Sequence, residues 1–457
     1  MTSDEAIYDA IRMILPNTRL LRPGEPGIEA YARDESTARP VDADLVAFPR
    51  STDEVSRLLQ LCHAQKIPVV PRGGGTGKAG GAIPIPGGLV LSTEALCGTP
   101  AIDRRDRLAQ VGAGTPLEQV KRHVEAAGLF YPPDPSSATG CTIGGNVATN
   151  AAGPACVKYG PTRDYVYGLT AVLADGRVLR SGHRTRKSVS GLDLTALLTG
   201  SEGTLAVITD VTLRLLPNPG GAETVWISLP SLETALETVA EITRAGLQPR
   251  MLELLDSTSV AALRRFGESR VPGDLSCALV VEFDGSQDSL DEQLRGLIAT
   301  IPESAQSYVA KSAGERAAWR QLRGITSIVL ARVRGRKYSE DIAVPLSRLD
   351  EAVAEMRRCA REHGIEIACY GHVGDGNLHV NLLYDDAPHE TIALVADEIF
   401  EVSLRLGGTL SGEHGIGQLK RHMLHRELGP EMARLQRGIK SLFDPHDILN
   451  PGRALAD

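Results

Sequence analysis

The sequence predicts two large domains of mixed helix and strand. Three observations carry that reading: length, a seam and the alternation of two periodicities. At 457 residues the chain exceeds the ~250 residues beyond which one hydrophobic core stops growing. Pro217-Asn-Pro-Gly-Gly221 reads as the seam, because paired prolines and glycines support neither helix nor sheet, and an amphipathic pattern restarts after Ser231. On both sides, short apolar runs alternate with segments at helical spacing. No internal repeat or low-complexity tract is visible.

Taken in order, Ser51 to Glu54 is an S-x-x-E capping box ahead of Val55, Leu58, Leu59 and Cys62, so a helix starts there. It gives way to a strand at Ile67-Pro-Val-Val-Pro71 and then to Arg72-Gly-Gly-Gly-Thr-Gly-Lys-Ala-Gly-Gly81. A dinucleotide fingerprint needs glycines that open a helix and an acid about twenty residues on. This loop leads instead to another extended run, Gly88 to Ser92. Next, Tyr131-Pro-Pro-Asp-Pro-Ser-Ser137 precedes Cys141-Thr-Ile-Gly-Gly-Asn-Val-Ala-Thr-Asn150, rigid prolines running into glycines at a helix start. Successive free N–H groups at such places form anion-binding concavities, and two loops of this kind suit a pyrophosphate. Leu198 to Thr204 is a third small-residue block, running into a β-branched strand over Leu205–Leu216. After the seam, Ile392–Leu406 reads as a helix closed by Gly407-Gly408, and a basic helix starts at Gln418. Near the end, Asn450 precedes a proline, which biases it to an extended, outward-presenting backbone.

The octapeptide His372-Val-Gly-Asp-Gly-Asn-Leu-His379 carries the most chemistry. Asp-Gly is favoured in two-residue type I′ turns. With Asp375-Gly376 as the loop, His372 faces His379, Cβ atoms roughly 4.5–5.5 Å apart, within reach of one divalent ion. Ser411-Gly-Glu-His-Gly-Ile-Gly417 adds Glu413 as a carboxylate ligand and His414 as an unligated base.

Composition excludes several classes. The net charge of −8 is spread among interspersed acids and bases, so no nucleic acid partner is indicated. No apolar run approaches the ~20 residues of a transmembrane segment, and Met1-Thr-Ser-Asp-Glu-Ala6 lacks the pattern of a secretory signal. The expected location is cytoplasmic. Seven scattered cysteines, never in a C-x-x-C pair, argue for reduced thiols rather than disulfides or an iron–sulfur cluster.

Eight blocks together resemble the FAD-linked oxidases of the vanillyl-alcohol-oxidase superfamily. Within it they resemble the D-2-hydroxyacid dehydrogenase branch, which includes D-lactate dehydrogenase, the glycolate oxidase flavin subunit and D-2-hydroxyglutarate dehydrogenase. They are P-R-G-G-G-T-G from Pro71, P-P-D-P-S-S from Pro132, T-I-G-G-N-V-A-T-N-A-A-G from Thr142 and K-Y-G-P-T-R-D-Y-V from Lys158. The rest are G-S-E-G-T-L from Gly200, G-H-V-G-D-G-N-L-H from Gly371, S-G-E-H-G-I-G from Ser411 and F-D-P-H-D-I-L-N-P-G from Phe443. The resemblance implies an α+β fold of two modules. Residues 1–218 would be an FAD-binding domain, with a PCMH-type core from about residue 40. Residues 219–457 would be a substrate or cap domain with an antiparallel sheet, the metal site and a flavin-contacting C-terminal segment.

The resemblance also implies site residues. Arg72, Gly73, Gly74, Gly75, Thr76 and Gly77 would cradle the pyrophosphate of FAD. Pro135, Ser136, Ser137, Gly140, Cys141, Thr142, Gly144, Gly145, Asn146, Asn150, Ala151 and Gly153 would line the flavin and ribityl chain. Glu202, Gly203 and Ile208 would lie toward the adenine, and Asn450 near the ring. His372, His379 and Glu413 would bind a divalent metal, Zn²⁺ or Mn²⁺. Neither glycine-rich loop contains a histidine, so non-covalent FAD is expected. Lys78-Ala79 departs from the family's Leu-Ser pair. The arginine for the substrate carboxylate follows a tryptophan; after Trp319 this is Arg323, with Arg320 the alternative register, and Lys337 is a second contact.

The implied reaction is oxidation of a D-2-hydroxy acid, D-lactate or glycolate, to the 2-oxo acid, with D-2-hydroxyglutarate as the alternative. The flavin takes the hydride and the metal acidifies the hydroxyl. Arg323 forks onto the carboxylate, and His414 takes the proton. Asn381, on the strand face of His379, would hold the carboxylate or orient a ligand. The small-molecule substrate and an acceptor protein or quinone are the expected partners, and a homodimer is left open. A non-turnover flavin relay subunit and a zinc hydrolase are the competing readings, the latter leaving the phosphate-shaped loops without a purpose.

Overall fold

The structure is a computed structural model that describes residues 3–267 and 270–456. The chain forms two compact units, one of residues 3–151, 161–218 and 414–456, the other of residues 152–160 and 219–413. Among the described residues no helix is long and apolar enough to cross a membrane.

In the first unit, β1 (Leu20–Leu21), β2 (Leu45–Ala47), β3 (Val69–Arg72) and β4 (Leu89–Ser92) form a sheet of order β1-β2-β4-β3. β2 and β3 run parallel to β4. The helix Thr52–Gln65 provides one crossover. Ser51 Oγ accepts from Glu54 N at 3.2 Å, the N-cap bond that the capping pattern predicts, while the Glu54 carboxylate accepts from Arg50 N at 2.6 Å, one residue before the N-cap. Val55, Leu58, Leu59 and Cys62 are buried with Val69, Leu89, Leu91 and, from the far end of the chain, Ile448 and Leu449. A second sheet, of order β5-β6-β10-β8-β9, contains β5 (Ala101–Asp103), β6 (Leu108–Gly112), β8 (Val166–Val172), β9 (Val178–Gly182) and β10 (Val207–Arg214). β7 (Leu129–Phe130) pairs with β11 (Leu216–Pro217), which ends at the seam.

The second unit is built on one antiparallel sheet, of order β15-β12-β14-β13-β17-β18-β16. Its strands are β12 (Gly221–Leu229), β13 (Met251–Leu255), β14 (Cys277–Gly285), β15 (Gln306–Val309), β16 (Arg336–Ala343), β17 (Glu366–Gly371) and β18 (Asn377–Tyr384). The helix Ala313–Gly324, capped by Ser312, packs Trp319 and Leu322 onto Trp226, Met251, Leu255 and Tyr370. Its amphipathic spacing thus also presents Arg323 to the sheet. Both modules are therefore mixed α and β, and the second carries the expected antiparallel sheet.

Candidate functional site

In the first unit, the loop after β3 and the loop before the helix Ile143–Thr149 lie against each other. A Cβ built on Gly74 would stand 1.9 Å from Gly140 O, so only glycine permits this approach. Among the described residues none accepts a hydrogen bond from the backbone N–H of Gly73, Gly74, Gly75, Thr76 or Gly77. Five successive unsatisfied donors are a fit for pyrophosphate oxygens. Asn146 is buried and its Nδ2 has no hydrogen-bond partner, an orphan that a bound group rich in acceptors would satisfy. These residues fit FAD.

Three expectations change here. The glycines at the helix start were expected to offer free N–H groups. Instead Ile143 N donates to Thr115 O, Gly144 N to Ala113 O, and Gly145 N to the capping Thr142 Oγ1. The first loop alone therefore keeps its run of donors. The Arg72 guanidinium is buried and donates to the carbonyls of Ala30, Arg33 and Ala82 at 2.9–3.2 Å, supporting the loop through its backbone. Asn450 is not extended. It adopts φ 47° and is buried, donating to Gly81 O at 3.1 Å and Glu202 O at 2.8 Å and accepting from Arg453. Two backbone carbonyls from distant segments and the nearby Arg453 guanidinium override the local bias of the following proline.

The other expected flavin residues fall as follows. Pro135, Ser136, Ser137 and Cys141 lie on the loop before the helix, and burial raises the Cys141 thiol. Asn150 is the helix C-cap at φ 49° and accepts from Arg163 N, and Ala151 follows it. Gly153 belongs to the second unit. Glu202 accepts from the N–H groups of Ile416 and Gly417 at 2.8 and 2.9 Å. Gly203 lies beside Pro71, and Ile208 is buried in β10.

In the second unit, the turn differs from the expected one. β17 pairs with β18 so that Tyr370, not His372, lies opposite His379. Residues 373–375 form one turn of 3₁₀ helix, and only Gly376, at φ 80°, takes the left-handed conformation that a type I′ turn would also require of Asp375. Asn377 sets this arrangement, its Nδ2 donating to Asp341 Oδ1 at 2.6 Å and Ile342 O at 2.7 Å. The two imidazoles nevertheless converge. Their centroids lie 5.3 Å apart, and each Nε2 is 3.4 Å from Glu413 Oε1. An ion about 2.0–2.1 Å from tetrahedral ligands separates those ligands by roughly 3.4 Å. The donor set and spacing fit a zinc-like ion.

Two buried carboxylates absent from the sequence reading stand behind these rings. Glu253, fully buried on β13, accepts from His372 Nδ1 at 2.5 Å and from Arg323 Nε. Asp341 pairs across from His379 in the β16–β18 ladder, 3.8 Å from its Nδ1. It also accepts from Ser411 Oγ and from Glu413 N. Burial works against charge on Glu253, yet Arg323 and His372 hold its pKa down to about 2. Burial likewise lowers His372, but Glu253 and Glu413 outweigh it and raise the imidazole well above its ordinary value. The one trace of Glu253 in the sequence is a lone acid in the apolar run Met251–Leu255.

Arg323 is buried, stacks 5.0 Å from the Tyr370 ring centre and reaches to 3.4 Å from His372 Nδ1. Arg320 points elsewhere, to Glu282 at 3.4 Å. Lys337 Nζ donates to Ser327, one helical turn after Arg323. Asn381 is fully buried, with its amide bonded to Ser339 Oγ and the carbonyls of Ala368 and His379. His414 is half-buried and follows Glu413 directly, where the chain enters the first unit.

Residues 219–454 match the family described as FAD linked oxidases, C-terminal domain, and residues 43–182 match the FAD binding domain. D-lactate dehydrogenase of Archaeoglobus fulgidus is 37% identical over 436 residues, 94% of this chain and 96% of that protein. Glycolate oxidase subunit GlcD of Bacillus subtilis is 36% identical, covering 93% and 92%. D-2-hydroxyglutarate dehydrogenase of Xanthomonas citri pv. viticola is 33% identical, covering 97% and 96%. Among solved structures, p-cresol methylhydroxylase with substrate bound superposes with a TM-score of 0.82 at 16% identity, covering 100% of this chain and 98% of that one.

Proposed function

Because the chain belongs to the FAD-linked oxidases and is an FAD-dependent oxidoreductase, we propose that it oxidises a D-2-hydroxy acid to the 2-oxo acid. D-lactate or glycolate is the substrate in this reading, with D-2-hydroxyglutarate as the alternative. The observation that carries it is the meeting of His372, His379 and Glu413 within 4.8 Å, with the buried guanidinium of Arg323 alongside. A divalent cation beside a fixed guanidinium is the chemistry that recognises an α-hydroxy carboxylate. Lactate, glycolate and 2-hydroxyglutarate, for which relatives are named, all carry an α-hydroxy carboxylate.

When bound, the flavin supplies the two-electron acceptor and the divalent ion, Zn²⁺ or Mn²⁺, a Lewis acid toward the hydroxyl. The backbone donors of Gly73–Gly77 hold the FAD pyrophosphate, without a covalent tether. Arg323 uses the guanidinium donors not taken by Glu253 to grip the carboxylate, which fixes the face that C2 presents. Lys337 places a second cation near that carboxylate. Asn381 braces the strand carrying His379, and His414 Nε2 takes the hydroxyl proton. Electrons then leave to a protein or quinone acceptor.

Anaerobic visible spectroscopy tests the reading. The purified protein should absorb near 370 and 450 nm, about where any oxidised flavin absorbs, and bleach with D-lactate, glycolate or D-2-hydroxyglutarate, D substrates outpacing L. A flavin spectrum unmoved by every 2-hydroxy acid would favour the relay subunit instead. Equal bleaching by both enantiomers would overturn the Arg323 assignment.

A further inference from the structure

Glu253 divides its two oxygens between partners with different tasks. One accepts from His372 Nδ1 at 2.5 Å, the other from Arg323 Nε. Its place follows from register. β13 pairs with β17 at Leu255–Tyr370 and Leu254–Gly371, so the next pair along is Glu253 and His372, although the chain has left the strand by then. The carboxylate is fully buried. A carboxylate so placed would not be tolerated without both donors. Both donors are held in place: Arg323 lies on the Tyr370 ring, and His372 directly follows β17 as the N-cap of the 3₁₀ turn.

We propose that Glu253 is a positioning residue that couples ion binding to carboxylate binding. It fixes His372 as the Nδ1–H tautomer, which leaves the Nε2 lone pair directed toward Glu413 and the ion, and it pins the guanidinium of Arg323 so that its remaining donors face the substrate. The inference rests on the metal reading above and adds to it that the ion and the anion-binding arginine share one carboxylate. Removing that carboxylate therefore weakens both at once.

The test compares wild type with Glu253→Gln and Glu253→Asp, each with FAD bound. Zn²⁺ affinity is read by chelator competition, and the KM and kcat for D-lactate are read at saturating Zn²⁺. A glutamine keeps the shape but offers an N–H where His372 needs an acceptor, favouring the tautomer that turns Nε2–H to the ion. Loss of such an outer carboxylate weakens metal binding by about 10–100-fold. The expected result is that loss in Glu253→Gln, a smaller one in Glu253→Asp, and a KM rise exceeding any fall in kcat. Unchanged Zn²⁺ affinity in a folded Glu253→Gln overturns the inference and leaves the metal reading standing. A wild type that takes up neither Zn²⁺ nor Mn²⁺ overturns both. Should neither variant fold, the wild type decides: long-range ¹H–¹⁵N spectra of the Zn²⁺-loaded protein must show His372 protonated at Nδ1, and protonation at Nε2 overturns the proposal.

Discussion

A methyl group on Gly74 has nowhere to go, standing 1.9 Å from the backbone oxygen of Gly140. Gly74→Ala must part the two loops and misalign the donors of Gly73–Gly77. We expect the variant to fold but to retain less than about a tenth of the wild-type FAD, read from the 450 nm to 280 nm ratio, because close backbone approach rather than a side chain makes the site. His372 gives a pH prediction. Its imidazole is raised well above its unfolded value, near 6.5. The stabilisation is thus complete below pH 6.5 and lost as pH rises through the folded value. The metal-free protein should lose Tm from pH 6.5 upward, and His372→Ala should flatten that slope; a wild-type Tm independent of pH would contradict the pairing. His372, His379 and Glu413 were legible because each sits in a short motif whose turn or glycines betray it. Glu253 and Asp341 were not, since a buried acid looks like any strand residue until its partner on another strand is known.

At the scale of elements, strands and capped helices follow from local periodicity, whereas the His372–His379 turn does not. Asp-Gly favours a two-residue loop, but Asn377 gains two hydrogen bonds to β16, and the register moves to suit them. Gly376 then carries the whole positive-φ requirement, at φ 80° and with a Cβ position only 2.1 Å from Val344 O. Gly376→Ala should cost about 1–3 kcal/mol or more, seen as a lower urea midpoint, together with loss of Zn²⁺ uptake as His372 shifts. A variant with normal stability and metal uptake would show that the turn does not position the ligand.

At the scale of the whole molecule, the C-terminal stretch 414–456 belongs to the first unit. Val69 N donates to Ile448 O and Asn450 N to Val69 O, Lys440 bridges Thr204 O, Leu449 O and Asp444, and Arg453 spans Gly81 O and Ile83 O. A chain ending at Phe443 should therefore lose flavin and unfold at lower temperature, despite an intact Gly73–Gly77 loop. Chelation should do the opposite, abolishing turnover with D-lactate while the flavin spectrum persists. The sequence by itself determined the family, the mixed fold, the glycine loop and the three metal-ligand candidates, because these are properties of short contiguous stretches whose turn chemistry and periodicity are local. Only the tertiary structure decided which loop keeps its N–H groups free, which unit claims residues 152–160 and 414–456, and that Glu253 and Asp341 stand behind the imidazoles. Those depend on strand register and on which buried donors meet which acceptors, and burial makes such pairings obligatory without leaving any periodic trace along the chain.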